Sequence, residues 1–120
     1  MSFLPIYSIL NELPEVKAIF GNDLRVYEDV APQDVSYPYM VYQEVGGPAV
    51  NHIDEPANFD HVMYQVMIYD SNPLKAHEAR ALLLKVLEQY SFILNARIGF
   101  FEAKTKLYAR GFDANWFLDR

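Results

Sequence analysis

Residues 59–90 read FDHVMYQVMIYDSNPLKAHEARALLLKVLEQY, and the change of period inside this stretch decides the fold class. Over 59–69, Val62, Tyr64, Val66 and Ile68 fall on one face. His61, Met63, Gln65, Met67 and Tyr69 fall on the other. That is the two-residue period of a strand. Both faces carry apolar surface, which the simplest account assigns to a helix layer on one side and a neighbouring subunit on the other. Ser71, Asn72 and Pro73 then start a helix, with a polar N-cap followed by a proline where its missing N–H costs least. Ala76, Ala79, Leu83, Val86 and Tyr90 recur at helical spacing, and Leu82, Leu84 and Leu87 widen the stripe. Lys75, Glu78, Arg80, Lys85 and Glu88 are assigned to the wet side.

Upstream, Ile6, Ile9, Leu10, Leu13, Val16, Ile19 and Phe20 form a helical stripe interrupted by Pro14. The reading is a helix to Glu12 and a second turn from Pro14, stopped by Gly21-Asn22. Leu24, Val26 and Tyr27 suit a short strand. A proline-marked lead-in, Ala31-Pro32-Gln33, precedes Pro38, which stands at the mouth of a strand over 39–45. Residues 46–58 are long for a hairpin connection, a length that usually signals function or disorder. Downstream, Phe92, Leu94, Ala96, Ile98 and Phe100 alternate as one face of a strand. A polar turn over 102–106 leads into a closing strand with Phe112, Ala114, Trp116 and Leu118 on one face. This order predicts an α+β two-layer sandwich: a mainly antiparallel sheet of four to five strands with two helices on one face, in one domain over 1–120.

Composition narrows the function classes. A chain of 120 residues, 52% hydrophobic, can bury one core without staples. It has no cysteine, which excludes disulfides, thiolate metal sites and a cysteine nucleophile and fits a reducing cytoplasm. No apolar run reaches the roughly 20 residues that cross a bilayer, and the start Met-Ser-Phe-Leu-Pro lacks the basic region of a signal peptide. No membrane contact is expected. A net charge of −6 argues against phosphate binding as the main purpose. Residues 1–70 hold eleven carboxylates and two bases, whereas 71–120 hold five carboxylates and eight bases. Two accounts fit: a surface that is simply mixed after folding, and, more sharply, a subunit with an acidic and a basic side that meet head to tail in a ring.

Catalytic patterns are weak. His52, Asp54, Glu55, Asp60 and His61 could furnish a metal or acid–base site, but no pair has an established ligand spacing. They read as a solvated loop. His77 reads as a surface residue near a helix start. Ser8, Ser36, Ser71 and Ser91 lack nucleophile-elbow glycines, and Gly46-Gly47-Pro48 lacks the lysine and following helix of a phosphate loop. The nine tyrosines fit core and subunit interface better than base stacking. No cofactor, metal or catalytic residue is expected.

Four phrases, in order, carry a resemblance: 20–27 (FGNDLRVY); Ala31-Pro32-Gln33 with Pro38-Tyr39-Met40-Val41-Tyr42; 64–69 (YQVMIY) followed by Ala79-Arg80-Ala81-Leu82; and 101–110 (FEAKTKLYAR) with Phe112-Asp113 and Trp116. Together they resemble the tail completion and tail terminator proteins of long-tailed bacteriophages, similar in role to the lambda tail terminator. Ala103 departs from a common proline and Lys106 from a common glycine. The resemblance implies a structural virion protein, not an enzyme. It implies a hexameric ring that caps the tail tube, ends polymerisation and offers a surface for head attachment. Its partners would be itself, the major tail tube protein and a head–tail connector. DNA would pass through the lumen without specific binding, and assembly would take place in the host bacterial cytoplasm. The state before assembly is left open between monomer and ring. Candidate assembly residues are Val50, His52, Ile53, Asp54 and Glu55 in the long loop, and Lys104, Lys106 and Arg110 near the closing hairpin. The alternatives are a neck connector of the same virion and, more distantly, a small-molecule or metal-binding α+β oligomer.

Overall fold

The structure is a computed structural model, and it describes residues 5–45 and 59–119. In chain order the elements are α1 (Ile6–Leu10), α2 (Pro14–Phe20), β1 (Val26–Glu28), β2 (Tyr39–Glu44), β3 (Phe59–Asp70), α3 (Pro73–Leu87), β4 (Ser91–Glu102) and β5 (Leu107–Asp119). The five strands form one sheet in the order β1-β2-β3-β5-β4. β1 runs parallel to β2, and every other pairing is antiparallel. β5 inserts between β3 and β4, so the two strands joined by α3 are parallel but not adjacent, a split βαβ unit. The α+β class and the mainly antiparallel sheet are as read from the sequence. The first helical stripe becomes two short helices divided at Pro14, which makes three helices among the described residues.

The helices are held by what they bury. α1 and α2 lack side-chain caps and are far below the roughly 12–15 residues at which an isolated helix becomes marginal in water. Ile6, Leu10, Val16 and Phe20 are each 0% exposed, and burying such a side chain is worth about 1.5–3 kcal/mol. They join Met40, Tyr42, Tyr64, Val66, Ile68, Phe112, Ala114 and Trp116 in one cluster with Ala79, Leu83 and Leu87 of α3. The strand members of that cluster are alternate residues of β2, β3 and β5, set opposite one another by the register. One sheet face therefore meets the helices. α3 is also capped as expected: Asn72 Oδ1 accepts from the N–H groups of Leu74 (2.9 Å) and Lys75 (3.3 Å), ahead of Pro73.

A hydrogen-bonded relay ties β3, α3 and β4 together. The Ser91 hydroxyl donates to the Leu87 carbonyl at 2.8 Å, which leaves its oxygen to accept from the Tyr64 hydroxyl at 2.9 Å. Trp116 tilts against Tyr64, with ring centroids 5.9 Å apart, and stacks on Tyr90 at 5.8 Å.

Three helix and strand assignments are corrected. Arg80 is 8% exposed and belongs to the buried side of α3, not the wet one. Tyr90 lies beyond the helix and is 49% exposed, covering Trp116 rather than extending the buried stripe. In β4 the register against β5 shifts between Ile93 and Asn95 and again between Asn95 and Ile98. Simple alternation therefore fails around Leu94 and Ala96. Phe92, Ile98 and Phe100 still share one face, but it is the face turned away from the helices.

At Gly111 the backbone of β3 closes in. A Cβ there would lie 2.0 Å from the Val66 carbonyl oxygen and 2.4 Å from Met67 Sδ. The backbone contact cannot be relieved by a rotamer change. Gly111→Ala should therefore lower stability by about 1–3 kcal/mol, read as a lower urea midpoint at unchanged m-value.

Candidate functional site

The described part of the chain offers two unlike sheet edges. β4 ends the sheet on one side and pairs with β5; β1 ends it on the other and pairs with β2. β4 is long and carries exposed apolar side chains: Phe92, Leu94, Phe100 and Phe101. Long apolar edges are sites where another chain can add.

Two arginines, from α3 and β5, reach the Ile98–Phe100 stretch of β4, and Arg97 of β4 directly precedes it. Helical spacing places His77 and Arg80 on successive turns, and Arg80 Nη2 donates to His77 Nδ1 at 3.0 Å. Arg80 Nη1 donates to the Ile98 carbonyl at 3.0 Å, pinning α3 to the edge strand. Arg110 lies across Gly99. A Cβ at Gly99 would be 3.2 Å from Arg110 Cδ and 3.3 Å from its Nη1, so the bare backbone lets the side chain cross. Its Nη1 donates to the carbonyls of Ala109 (2.8 Å) and, more weakly, Phe100 (3.4 Å). The guanidinium carbon also sits 5.7 Å from the centre of the Tyr108 ring, a cation–π contact. Burial, then the charges of Arg110 and Arg97, push the Arg80 guanidinium below its usual range. The charges that act on Arg80 are thus cations.

The sequence-derived basic candidates occupy two places. Lys104 and Lys106 are exposed in the turn between β4 and β5. Lys106 has φ 60°, the left-handed conformation that glycine adopts most readily. Its N–H still closes the turn onto the Glu102 carbonyl at 2.8 Å. Arg110 lies back along β5, within the arginine group. Val50, His52, Ile53, Asp54 and Glu55 lie outside the described residues, as do the side chains of Asp60 and His61. Among the described residues no group of His, Asp and Glu could hold a metal ion. A cleft of about 270 Å³ between α2 and α3 is lined by Ala18, Ile19, Pro38, Lys75 and Glu78.

Arg80 and Arg97 were missed by sequence reading. The signal for Arg80 was present: positions 76, 80, 83 and 87 form one helical row, and all four are buried. Nothing in the sequence marked Arg97.

The face turned from the helices is partly apolar. Tyr39 stacks on Tyr69 at 5.1 Å, and Tyr37 lies 6.5 Å from Tyr39. Gln65 donates to Asp113 at 3.1 Å. Asn115 Oδ1 is a buried polar atom with no hydrogen-bond partner.

The family model for tail completion protein gp17 matches residues 5–112. The chain belongs to that family. The match runs from the start of α1 into the middle of β5 and takes in β1 to β4, the relay and all three arginines. The tail completion fold thus described is a structural component of the phage tail, and a structural role at the virion tail, in contact with other tail or head proteins, follows from membership. No curated protein and no solved structure matches at significant similarity. Among the described residues no helix is long and apolar enough to cross a membrane.

Tyrosine ionisation offers a check on the core. Burial raises Tyr64 to about 12, with the Ser91 hydrogen bond pulling slightly the other way. Burial also raises Tyr39, Tyr42 and Tyr69. A group whose folded pKa lies above its unfolded value contributes stability that is complete below the unfolded value and lost as pH climbs through the folded one. The chain should therefore lose stability between pH 10 and about 12. Tyr64→Phe should flatten that loss in urea titrations across the same window.

Proposed function

We propose that this chain caps the finished tail tube as a ring of identical subunits, ends tail polymerisation and presents the surface to which the head attaches. The observation that carries this reading is the tail completion match across nearly the whole described fold. Two features of the molecule support it. Its edges are chemically unlike, as a subunit that repeats head to tail requires. Its outer sheet face holds half-buried tyrosines and a buried, unpaired Asn115 oxygen, which suits a face completed by another chain. The ring is a hexamer in this reading, its neighbours are the tail tube protein on one side and a connector on the other, and DNA passes through it. An acidic chain lowers DNA adhesion to the wall. The chain acts by shape and surface, with no reaction catalysed and no cofactor held.

Deleting the gene separates this role from its neighbour in the neck. Overlong tails in electron micrographs are expected; tails of normal length that fail to join heads would assign the chain to the connector instead. The long loop is tested separately. Asp54→Lys with Glu55→Lys should leave thermal unfolding unchanged and reduce the yield of complete particles. Unchanged particle yield would remove 46–58, with Val50, His52 and Ile53, from the contact surface.

A further inference from the structure

Arginines gather on one edge of the sheet and carboxylates on the opposite edge. Arg80 is pinned to the Ile98 carbonyl, Arg110 crosses the neighbouring Gly99, and the exposed Arg97 directly precedes Ile98 in β4. Among the described residues none of the three has a carboxylate within ion-pair distance. Arg80 uses two of its nitrogens on Ile98 and His77, and Arg110 uses one on backbone carbonyls. Each guanidinium has five N–H donors, so several remain. Grouped cations with spare donors suit an anionic partner, to which their hydrogen bonds are charge-assisted.

The far edge carries exposed carboxylates. Glu28 and Asp29 end β1, and both are exposed, as are Asp23, Asp34 and Glu44 nearby in the chain or on β2. The cation of this region, Arg25, is committed elsewhere: its Nε donates to the Pro38 carbonyl at 2.9 Å and its Nη2 to that of Ile19 at 3.1 Å. It does not neutralise Glu28 or Asp29. Asp29 has φ 67°, and the Val30 N–H folds back onto the Glu28 carbonyl at 2.8 Å. That turn presents Val30, 75% exposed, beside the two carboxylates. The basic edge answers with Leu94 and Phe101, each about half exposed. Charge and apolar surface are thus matched on edges that lie at opposite ends of the same sheet.

We propose that the β4 edge, with Arg80, Arg97 and Arg110, binds the β1 edge of a second copy of this chain through Glu28, Asp29 and Val30. The contact joins two different surfaces, so it repeats head to tail and closes into a ring when the rotation per copy allows. It rests on the ring reading above and adds to it which edges meet. Phosphates of DNA are the lesser match for the arginines, because the chain as a whole carries −6 and would repel a duplex.

The absence of native cysteine makes the contact directly testable. A chain carrying both Glu28→Cys and Arg97→Cys, oxidised in assembled tails and in concentrated purified protein, should give a disulfide ladder extending beyond dimers. Either single variant should give no ladder. Separately, Arg97→Glu and Glu28→Lys should each weaken self-association at least about tenfold by sedimentation. The chain carrying both charge changes should recover it. If wild-type particles contain rings but the paired cysteines give no ladder and the charge swap gives no recovery, this contact is overturned and the ring reading stands. If the wild-type chain forms no ring in the virion, both fail. If Arg97→Glu leaves assembly intact and instead removes salt-sensitive binding to duplex DNA, the arginines serve phosphate and the contact is overturned.

Discussion

The pairing of β3 with β5 is the constraint on which the rest of the molecule depends. It runs the whole length of both strands, from Phe59 opposite Asp119 to Asp70 opposite Tyr108. Its ends are far apart in sequence, so the chain must close a long loop before the ladder forms. Once formed, it sets the position of every other element. β2 has one free side of β3 to join, and β4 one free side of β5. α3, tied to the end of β3 through Asp70 and Asn72, must return over the same face to start β4. The helix face of this central pair, with Tyr64, Val66, Ile68, Phe112, Ala114 and Trp116, then becomes the floor of the core.

Small backbone features of β5 and β4 convert that frame into a surface with chemistry. Gly111 allows β5 to come close to Val66 and Met67. Gly99 leaves the gap that Arg110 crosses, and Ile98 supplies the carbonyl that holds Arg80. The register shifts in β4 separate its two ends, so its exposed aromatic residues are not one flat stripe. Bulges of this kind twist an edge and restrict which strand can add to it. The result is an edge that is apolar and cationic at once, opposed across the sheet by an edge that is acidic.

Much of the fold was legible because it rests on local rules. The alternation of 59–69, the Asn72-Pro73 cap and the break at Pro14 each specify an element by backbone sterics or hydrogen bonding within a few residues. The exceptions have a common cause. Arg80 was placed on the wet side by its charge, although its position in the helical row is a buried one; packing against β4 supplies the carbonyl that makes burial tolerable. Tyr90 continued the helical spacing but left the helix to stack on Trp116. Leu94 and Ala96 obeyed alternation in sequence, while pairing with β5 inserted irregularities that no single strand encodes.

The sequence by itself determined the class of fold, the identity and order of nearly all elements, the core residues of β3 and α3, and the segregation of acid from base along the chain. It also carried the phrases by which the family is recognised. The tertiary structure alone decided that β5 lies between β3 and β4, that the acidic and basic halves become opposite edges of one sheet, and that Arg80 and Arg110 reach the same stretch of β4 that carries Arg97. The physical reason is separation in sequence. Propensity, capping and periodicity act over a few residues, whereas strand order and the arrival of side chains from α3 and β5 at one stretch of β4 are settled by long-range pairing and packing.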